Sequence, residues 1–567
     1  MKVKCTGLLT LLAGLASCAS VTKAELEDSR ANYVKLGFDK LKGNTFSDAT
    51  KHAKPIAKLH KRDDGYEEMT IVNQQSFYSV ELGVGSSDQN VTVLVDTGSS
   101  DLWIMGSNNP YCKAGTVSNN KRRVGIRHPE KRAEDFDPFS WLTFSSSEGS
   151  TATGTQTIVP SASATLTCSQ YGTFATSSSS SFQSNDTEFY IQYGDGTFAL
   201  GTWGTDTIKV DGLEISNVSF AVANETDSSV GVLGIGLPGL ETTNSGSLVT
   251  SARDAYEYEN FPLVLKRDGI INRNAYSLFL NSSDAQTGSV LFGAVDHSKY
   301  TGTLYTIPLI NTLSGYSEPI QFEVTLQGLG LQANDTNTTL TTTKIPALLD
   351  SGTTLAYFPS NLATMIARGV GATYSSLYGY YMMSCSDIDT STEIIYDFGG
   401  FLIASPLENY IIQTSGSTCI LGILPQSGNS IILGDTFLTS AYVVYDLENL
   451  EISLAQANVG STGSDNIDVI SSSVPSAVKA PAYSSTWSTS ASIATGGNIF
   501  TVTVGSSQNN SSGTTTTSGS SGTTTRATST TTSSTRQNLA IAIQPSWQFV
   551  WTGLCMSTVV SIISWFL

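Results

Sequence analysis

Two short segments of the chain each place an aspartate directly after an apolar strand. Asp96 follows Val-Leu-Val and precedes Thr-Gly-Ser-Ser, while Asp350 follows Ala-Leu-Leu and precedes Ser-Gly-Thr-Thr. A single Asp-Thr-Gly is a common turn sequence, but two copies behind apolar strands predict a pair of related turns. If these turns face each other, their carboxyl groups come within hydrogen-bonding distance and share one proton. One carboxylate can then activate a water molecule while the other group, as an acid, protonates a carbonyl oxygen.

The residues beside the two aspartates are of the types that such turns need. Glycine permits a tight turn and the close approach of the opposite backbone. Hydroxyl groups can donate hydrogen bonds to the carboxylates and to the opposite turn. The residues predicted to support the pair are Thr97, Gly98, Ser99, Ser351, Gly352 and Thr353.

The elements that must position these turns are predominantly strands. From about residue 66 to 458, short apolar runs alternate with Gly, Ser and Asp, and long amphipathic helices are scarce. Predicted strands include residues 77–82, 91–95, 189–193, 289–292 and 441–445. The fold class is therefore predicted to be mainly β.

Several motifs together give the chain a family resemblance over about residues 77–455. They are residues 96–103 (DTGSSDLW), 193–196 (YGDG), 350–354 (DSGTT), and the apolar-glycine segments 232–236 and 432–435. With these motifs the chain resembles the pepsin-like aspartic proteases, and more closely the yapsins, their GPI-anchored fungal branch. The resemblance implies a bilobal fold with the active-site cleft between two β-rich lobes. It implies an aspartic-type endopeptidase whose catalytic residues are Asp96 and Asp350 and which needs neither cofactor nor metal.

The resemblance also implies a flap hairpin over the substrate. It assigns Tyr193, Gly194, Asp195 and Gly196 to that hairpin and places the Tyr193 hydroxyl near Trp103. Yapsins prefer substrates cut after Lys or Arg, and Asp195 is the residue predicted to select the basic side chain. In the simpler interpretation, Asp195 is a turn residue that bonds its own backbone and Tyr193 is a packed aromatic.

Other hydrolase chemistries find little support in the sequence. The chain has four histidines, and it contains neither His-Glu-x-x-His nor Cys-x-x-Cys, so no catalytic zinc site is predicted. His297 lies beside an aspartate and a serine, but adjacency in sequence is not the geometry of a catalytic triad. The alternative of a different class is a non-catalytic wall-structural or adhesive surface glycoprotein that retained the protease fold.

The chain is acidic, with a formal net charge of −18 and a sequence pI of about 4.6. Such a surface disfavours nucleic acid and favours basic polypeptides as partners. The same acidity would also be explained by solubility alone.

The N-terminal region resembles a secreted precursor. Residues 1–20 form a predicted signal peptide, with Lys2 and Lys4 before an apolar run. Residues 21–62 form a predicted propeptide that ends at Lys61-Arg62, although this basic pair could be accidental. The N-terminal catalytic lobe is predicted at 63–240 and the C-terminal lobe at 241–460.

Four cysteines lie within the predicted lobes. Cys112, Cys168, Cys385 and Cys419 allow three pairings in an oxidising compartment, of which the simplest is Cys112–Cys168 with Cys385–Cys419. The first two bracket a basic, Ser/Thr-rich insert at about residues 113–165, predicted to be an exposed loop. A cut at Lys131-Arg132 would leave two chains joined by the disulfide, and the alternative is an uncut flexible loop.

The C-terminal region has the composition of a surface-anchored protein. Residues 461–538 are predicted to be a Ser/Thr-rich stalk, and residues 539–567 a removed GPI-attachment signal with attachment at Asn538. A C-terminal membrane span is the alternative. The predicted location is the secretory pathway and then the plasma membrane, or cell-wall glucan. N-glycosylation candidates are Asn90, Asn185, Asn217, Asn224, Asn281, Asn334, Asn337, Asn509 and Asn510.

Overall fold

The structure, a computed structural model, describes residues 32–41, 56–61, 67–70, 77–112 and 166–501. Short gaps within these ranges fall at residues 195–196, 252, 284, 286, 335, 415–416, 462–463 and 491. Several predicted features lie outside the described residues. They are the signal peptide, Arg62, the insert with Lys131 and Arg132, the flap residues Asp195 and Gly196, the sequons at Asn509 and Asn510, Asn538 and the GPI signal.

Strands of the N-terminal half alternate buried and exposed side chains, as expected for sheets with one covered face. In the second apolar run, Val91, Val93 and Val95 are buried and the residues between them are less so. The strands are β1 Val34–Leu41, β2 Ile56–Lys61, β3 Glu67–Thr70, β4 Phe77–Val84, β5 Gln89–Asp96, β6 Leu102–Met105, β7 Gln183–Gln192, β8 Phe198–Val210, β9 Leu213–Thr226 and β10 Gly231–Gly234.

The C-terminal half is built from shorter strands, many of them buried on both faces. They are β11 Ala275–Phe279, β12 Thr287–Phe292, β13 Ala294–Asp296, β14 Tyr300–Pro308, β15 Glu323–Leu326, β16 Gly328–Ala333, β17 Thr336–Thr341, β18 Ile345–Leu349, β19 Ala356–Pro359, β20 Thr373–Ser375, β21 Tyr380–Ser384, β22 Glu393–Asp397, β23 Leu402–Pro406, β24 Ile411–Thr414, β25 Thr418–Leu421, β26 Ile423–Gln426, β27 Ile431–Leu433, β28 Ala441–Asp446, β29 Glu451–Ala457, β30 Ile467–Val469 and β31 Val478–Lys479.

Helices are short in the described part of the chain. The longest, Ser360–Gly369, buries Leu362, Ala363, Ile366 and Ala367 on one face. The α-helices are α1 Thr242–Ser245, α2 Phe261–Arg267, α3 Ser360–Gly369 and α4 Asp435–Leu438. Single 3-10 turns lie at Cys168–Gln170, Thr176–Ser178, Pro238–Leu240, His297–Lys299, Cys385–Asp387 and Leu407–Tyr410. The mainly β fold predicted from the sequence is confirmed.

One large sheet runs through both halves of the molecule. It has 14 strands, in the order β31-β14-β29-β28-β11-β12-β1-β4-β5-β10-β6-β9-β8-β7. Three further sheets belong mainly to the C-terminal half, in the orders β15-β18-β27-β19-β26, β17-β16-β22-β23 and β20-β21-β25-β24-β2-β3, and β13 pairs with β30. The strands β5 and β18, which end at the two predicted turns, lie in different sheets.

A strand from the predicted propeptide lies inside the large sheet. β1 pairs antiparallel with β12, from Val34 opposite Phe292 onward, and with β4, where Leu41 lies opposite Phe77. The Lys35 ammonium group also contacts the Asp465 carboxylate at 2.5 Å. The structure therefore describes the chain with this segment in place between the two halves.

Both disulfides lie within one half each. Cys112 bonds Cys168, with the Cα atoms 5.5 Å apart, and Cys385 bonds Cys419, with the Cα atoms 5.0 Å apart. This is the simplest of the three pairings that the sequence allows. The first disulfide closes the base of the insert.

The segment after the last long strand differs from the sequence expectation. The sequence predicts a stalk that begins at residue 461, but residues 464–501, called here the C-terminal strap, pack on the C-terminal half. β30 pairs with β13, and β31 extends the large sheet beside β14. Ile470, Val474 and Ile499 are buried.

Polar contacts hold the middle and the end of the strap. The Tyr483 hydroxyl accepts the Thr325 N–H at 2.8 Å and donates to the Pro308 carbonyl at 3.2 Å. Farther on, the Gly496 N–H donates to the Leu340 carbonyl at 2.9 Å. Residues 461–538 are poor in apolar residues on average, but the few that are present, such as Ile470, Val474 and Ile499, are buried in the first part of this region. The predicted stalk therefore shortens to the residues after the strap.

The described sequons differ in their surroundings. Asn90 lies within β5, where its side-chain amide donates to Glu81 at 2.8 Å. Asn185, Asn334 and Asn337 are exposed. Among the helices of the described residues, none is both long and apolar enough to cross a membrane.

Candidate active site

The turn after β5 surrounds the first predicted catalytic aspartate with hydrogen-bond donors. The Gly98 N–H donates to Asp96 Oδ1 at 2.7 Å, and the Ser99 hydroxyl donates to Asp96 Oδ2 at 2.5 Å. Asp96 is buried. Both oxygens of this carboxyl group are thus held by the turn that carries it.

The turn after β18 repeats this geometry in the other half of the chain. The Gly352 N–H donates to Asp350 Oδ1 at 2.9 Å, and the Thr353 hydroxyl donates to Asp350 Oδ2 at 2.5 Å. Asp350 is also buried. The sequence similarity between the two segments therefore corresponds to matching local structures.

Reciprocal hydrogen bonds join the two turns through Thr97 and Ser351. The Thr97 hydroxyl accepts the Ser351 N–H at 2.9 Å and donates to the Leu349 carbonyl at 3.1 Å. The Ser351 hydroxyl accepts the Thr97 N–H at 3.1 Å and donates to the Val95 carbonyl at 3.0 Å. These four bonds fix the separation of the turns and hence of the two carboxyl groups.

Gly98 and Gly352 are required by the close approach of the opposite carboxyl group. A Cβ atom on Gly98 would lie 2.4 Å from Asp350 Oδ1, and one on Gly352 would lie 2.2 Å from Asp96 Oδ1. No side chain fits at such distances, so only glycine allows each carboxyl group to lie against the other turn. The two carboxyl groups therefore lie side by side, close enough for each to act on the charge of the other.

The electrostatics of the pair follow from burial and proximity. Burial, followed by the neighbouring Asp350 charge, raises the pKa of Asp96 well above its usual range, and the bonds from Ser99 and Gly98 oppose this only in part. Two carboxylates in contact repel each other, so the pair retains one proton at a pH where separate carboxyl groups would be ionised. A base and an acid thus coexist in one site.

Apolar-glycine segments support each turn from behind. β10 runs parallel to β5, with Gly234 opposite Asp96, and the Ile235 N–H donates to the Asp96 carbonyl at 2.8 Å. β27 runs parallel to β18 in the same manner, and the Asp350 N–H donates to the Leu433 carbonyl at 3.1 Å. The backbone of both aspartates is therefore fixed by a neighbouring strand.

Two tyrosines near the pair were not predicted from the sequence. Tyr276 on β11 and Tyr445 on β28 are fully buried and stack with ring centroids 5.0 Å apart. The Tyr276 hydroxyl donates to the Ile235 carbonyl at 2.9 Å, next to the Asp96 turn. Only the strand register brings them here, and the sequence near either residue contains no motif that would have indicated it.

The flap hairpin is described on both sides of residues 195–196. β7 and β8 pair up to Gln192 and Phe198, and the Tyr193 N–H then donates to the Thr197 carbonyl at 2.8 Å. The Trp103 indole N–H donates to the Tyr193 hydroxyl at 2.7 Å. The structure thus places Tyr193 beside Trp103, which follows the Asp96 turn. Asp195 and Gly196 lie outside the described residues.

No group of three or more His, Cys, Asp or Glu side chains suited to a metal occurs among the described residues. The chemistry that these residues offer is acid and base catalysis by two carboxyl groups with one shared proton. Such a pair can activate a water molecule and protonate a carbonyl oxygen without a metal.

Comparisons with known proteins agree with this geometry. Residues 77–457 match the model of the family described as eukaryotic aspartyl protease. The chain is 58% identical over 494 residues to aspartic proteinase 3 of Saccharomyces cerevisiae, covering 84% of this chain and 86% of that protein. It is 52% identical over 522 residues to aspartic proteinase MKC7 of the same yeast, covering 89% and 87%. It is 47% identical over 498 residues to aspartic proteinase yapsin-3, covering 86% of each chain.

Proposed function

The chain belongs to the eukaryotic aspartyl protease family and to its yapsin branch, and from this premise we propose that Asp96 and Asp350 hydrolyse peptide bonds of cell-surface substrates after lysine or arginine. It is an aspartic-type endopeptidase. The observation that carries the assignment of the catalytic residues is the reciprocal turn geometry. It brings two buried carboxyl groups into contact from opposite halves of the chain.

The proposed reaction uses both protonation states of the pair. The carboxylate removes a proton from a water molecule, whose oxygen bonds to the peptide carbonyl carbon. The protonated partner donates its proton to the carbonyl oxygen, which gives a neutral tetrahedral intermediate. When the intermediate collapses, one of its hydroxyl groups gives its proton to the deprotonated member of the pair, the C–N bond breaks, and the leaving nitrogen takes the proton of the other member. The pair again holds one proton.

Acidity near the flap supports a preference for basic substrates. Beside the turn of the flap hairpin, Asp227 Oδ1 accepts the Phe198 N–H at 2.9 Å. Burial and then the Asp227 and Glu225 charges raise the pKa of Tyr111, so both carboxylates act on this side of the hairpin. The chain as a whole is also acidic, with a formal net charge of −18, so basic polypeptides would be attracted to it in general. A lysine or arginine side chain would be attracted to this region.

We predict that Asp195→Asn lowers kcat/KM about 10–100-fold for peptides cut after Lys or Arg, a loss of roughly 1.4–2.8 kcal/mol. The reason is that a contact between Asp195 and the basic side chain would be partly desolvated beneath the flap. Peptides cut after Leu or Phe should change by less than about threefold, because they make no ionic contact. The measurement is the ratio of kcat/KM values on matched peptides that differ only in that residue.

Asp227→Asn is the matched control for Asp195→Asn. It makes the same change of charge beside the turn of the same hairpin and keeps an oxygen to accept the Phe198 N–H. A specific contact requires Asp195→Asn to have much the larger effect on the ratio. Equal losses on basic and apolar peptides, or equal effects of the two variants, would reject Asp195 as the selecting residue.

The proposed location is the cell surface, by a GPI anchor attached at Asn538, with processing of proproteins and of wall or surface proteins as the role. The support is compositional: small and polar residues precede a terminal apolar run that begins near Phe549. The polypeptide partners would be basic at the cleavage site, and cell-wall glucan would be a second attachment.

We predict that a phosphatidylinositol-specific phospholipase releases the full-length protein from the membranes of a yeast host. A GPI anchor holds the chain only through its lipid, whereas a membrane-spanning segment would keep it in the pellet after the same treatment. A chain that ends at Asn538, without the signal, should appear in the medium. Retention of the full-length protein after lipase treatment would contradict the anchor.

A further inference from the structure

A second pair of buried carboxyl groups lies beside the catalytic turn of the N-terminal half. Asp101 follows Asp96 by five positions, and its side chain is 1% exposed. Its Oδ2 accepts the Thr242 N–H at 2.9 Å, and its Oδ1 accepts the Tyr258 hydroxyl at 2.8 Å. Asp101 thus has two donors for its negative charge.

Glu241, next to Thr242 in the chain, is buried like Asp101 but has fewer hydrogen-bond partners. It is 0% exposed, and its Oε2 accepts the Tyr258 N–H at 2.8 Å. Its Oε1 has no hydrogen-bond partner among the described residues. An ionised Glu241 would have a buried, charged oxygen without a hydrogen-bond partner. This state has a much higher free energy than the neutral, protonated acid.

Among the described residues, the groups that act on Glu241 are acidic or neutral, and none is a cation. They are Asp101 after the catalytic turn, and Glu257, Tyr256 and Tyr258 on the segment packed against it. Burial, followed by the Asp101 and Glu257 charges, raises the pKa of Glu241 to about 10. Burial also raises the pKa of Asp101 to about 6. Glu241 is therefore the member of the pair that keeps its proton.

The pair is connected to the active site through both backbone and packing. The Asp101 carbonyl accepts the Gly234 N–H at 3.0 Å, and Gly234 lies opposite Asp96 in the sheet. Tyr258, held by both carboxyl groups, packs edge-on against Trp203 at 5.0 Å, in the apolar cluster that includes Trp103 and Tyr193. A disturbance at Glu241 would thus reach both the catalytic turn and the flap.

We propose that Glu241 in its protonated form is a positioning residue, which holds Tyr258 and Asp101 against the catalytic turn, and that its buried proton makes the active lobe stable in acid and labile at neutral pH. Glu241 touches no substrate and acts through Tyr258 and Asp101. The inference rests on the endopeptidase activity of the chain and is independent of the proposed basic specificity.

The direction of the pH effect follows from linkage. The unfolded chain releases the Glu241 proton at the pKa of an ordinary glutamate, whereas the folded chain retains it to much higher pH. The contribution of Glu241 to stability is therefore complete below the unfolded pKa and is lost as pH rises toward the folded value. One retained proton makes the unfolding equilibrium constant about tenfold larger for each pH unit in this interval.

Glu241→Gln tests the proposal, because glutamine keeps an oxygen for the Tyr258 N–H and cannot ionise. Unfolding is measured by denaturant titration between pH 5 and 7.5, a range chosen from the linkage above. We expect the unfolding constant of the wild type to rise with pH more steeply than that of Glu241→Gln. The ratio of the two constants should grow by about tenfold for each pH unit. In the same variant, the pH at which kcat falls on the alkaline side should shift to a higher value. Peptide cleavage at acidic pH should be retained.

Two further variants separate this role from general effects. Glu257→Gln makes the same substitution at an exposed neighbour. It removes only the smallest of the contributions that raise the pKa of Glu241, so it should change the pH dependence far less than Glu241→Gln does. Glu241→Ala removes the acceptor for Tyr258, so it should be less stable than Glu241→Gln at every pH. Parallel pH dependence in the wild type and Glu241→Gln, or equal shifts for Glu241→Gln and Glu257→Gln, would overturn the proposal. The activity of Asp96→Asn tests the catalytic pair separately. Its result does not change what the unfolding measurements show about Glu241.

Discussion

Replacing Asp96 or Asp350 with asparagine is expected to lower kcat/KM for peptide cleavage at acidic pH by at least about 10³–10⁴-fold. Asparagine keeps the size of the side chain and can accept the N–H bonds of the turn, but it can neither take nor give the catalytic proton. Both variants should fail equally, because the two carboxyl groups form one proton-sharing unit. The measurement is steady-state cleavage of a peptide by the purified protein.

The pH dependence of stability gives a second result from the same variants. The pKa of Asp96 is raised in the folded state by burial and by Asp350, so its contribution to stability is present in acid and is lost as pH rises through the raised value. Asp96→Asn removes this loss. The inactive variant should therefore be more stable than the wild type near neutral pH.

Asp211→Asn provides the matched control for the aspartate variants. Asp211 is exposed and has a positive φ of 48°, a conformation that asparagine also adopts readily. It should cleave peptides at the wild-type rate. Activity above about a tenth of the wild type in either Asp96→Asn or Asp350→Asn would reject the proton-sharing mechanism. A wall or binding function that persists unchanged in the inactive variants would instead favour the non-catalytic surface glycoprotein.

The local part of the active site could be predicted from the sequence because it is encoded within a few residues. Each aspartate lies at the end of an apolar strand, and the Thr or Ser, Gly, and Ser or Thr that follow it determine the turn. The mainly β fold could be predicted for the same reason, since alternation of apolar and polar residues is a local pattern. The resemblance of the two segments also indicated that they would face each other.

Contacts between distant segments could not be predicted in this way. Tyr276 and Tyr445 reach the pair through the order and register of strands in a 14-stranded sheet, which no single segment determines. Glu241 and Asp101 meet Tyr258 across three separate loops, and each is an ordinary acidic residue in its own sequence context. Their effect arises from burial, which depends on the complete fold.

The C-terminal strap shows why composition alone misplaced a domain boundary. Disorder is inferred from a low average of apolar residues, but packing depends on where the few apolar residues fall. Ile470 and Val474 join a cluster with Tyr442, and Ile499 lies against Gly328 and Gly330 on the four-stranded sheet. Between these apolar residues, backbone N–H groups of the strap donate hydrogen bonds to carbonyl groups of the C-terminal half.

A chain that ends at Asn458 is expected to lose its stable folded state, whereas a chain that ends at Thr501 keeps it. The shorter chain retains every residue matched by the protease family model but lacks the whole strap. Burial of Ile470, Val474 and Ile499 stabilises by roughly 1.5–3 kcal/mol each, and three such side chains approach the net stability of about 5–15 kcal/mol of a typical domain. The measurement is the yield of active protein together with its thermal unfolding midpoint.

Point variants distinguish the specific packing of the strap from a general effect of truncation. Ile499→Ala in the longer chain should cost about 2–5 kcal/mol, since the side chain is buried against the sheet. Val478→Ala is the control, because Val478 lies on the strap with its side chain exposed, and it should change stability by less than about 0.5 kcal/mol. If the chain ending at Asn458 were as active and as stable as the chain ending at Thr501, the strap would be a passive part of the stalk. If it is not, the folded enzyme extends about forty residues beyond its family model, and a soluble form of the enzyme must include them.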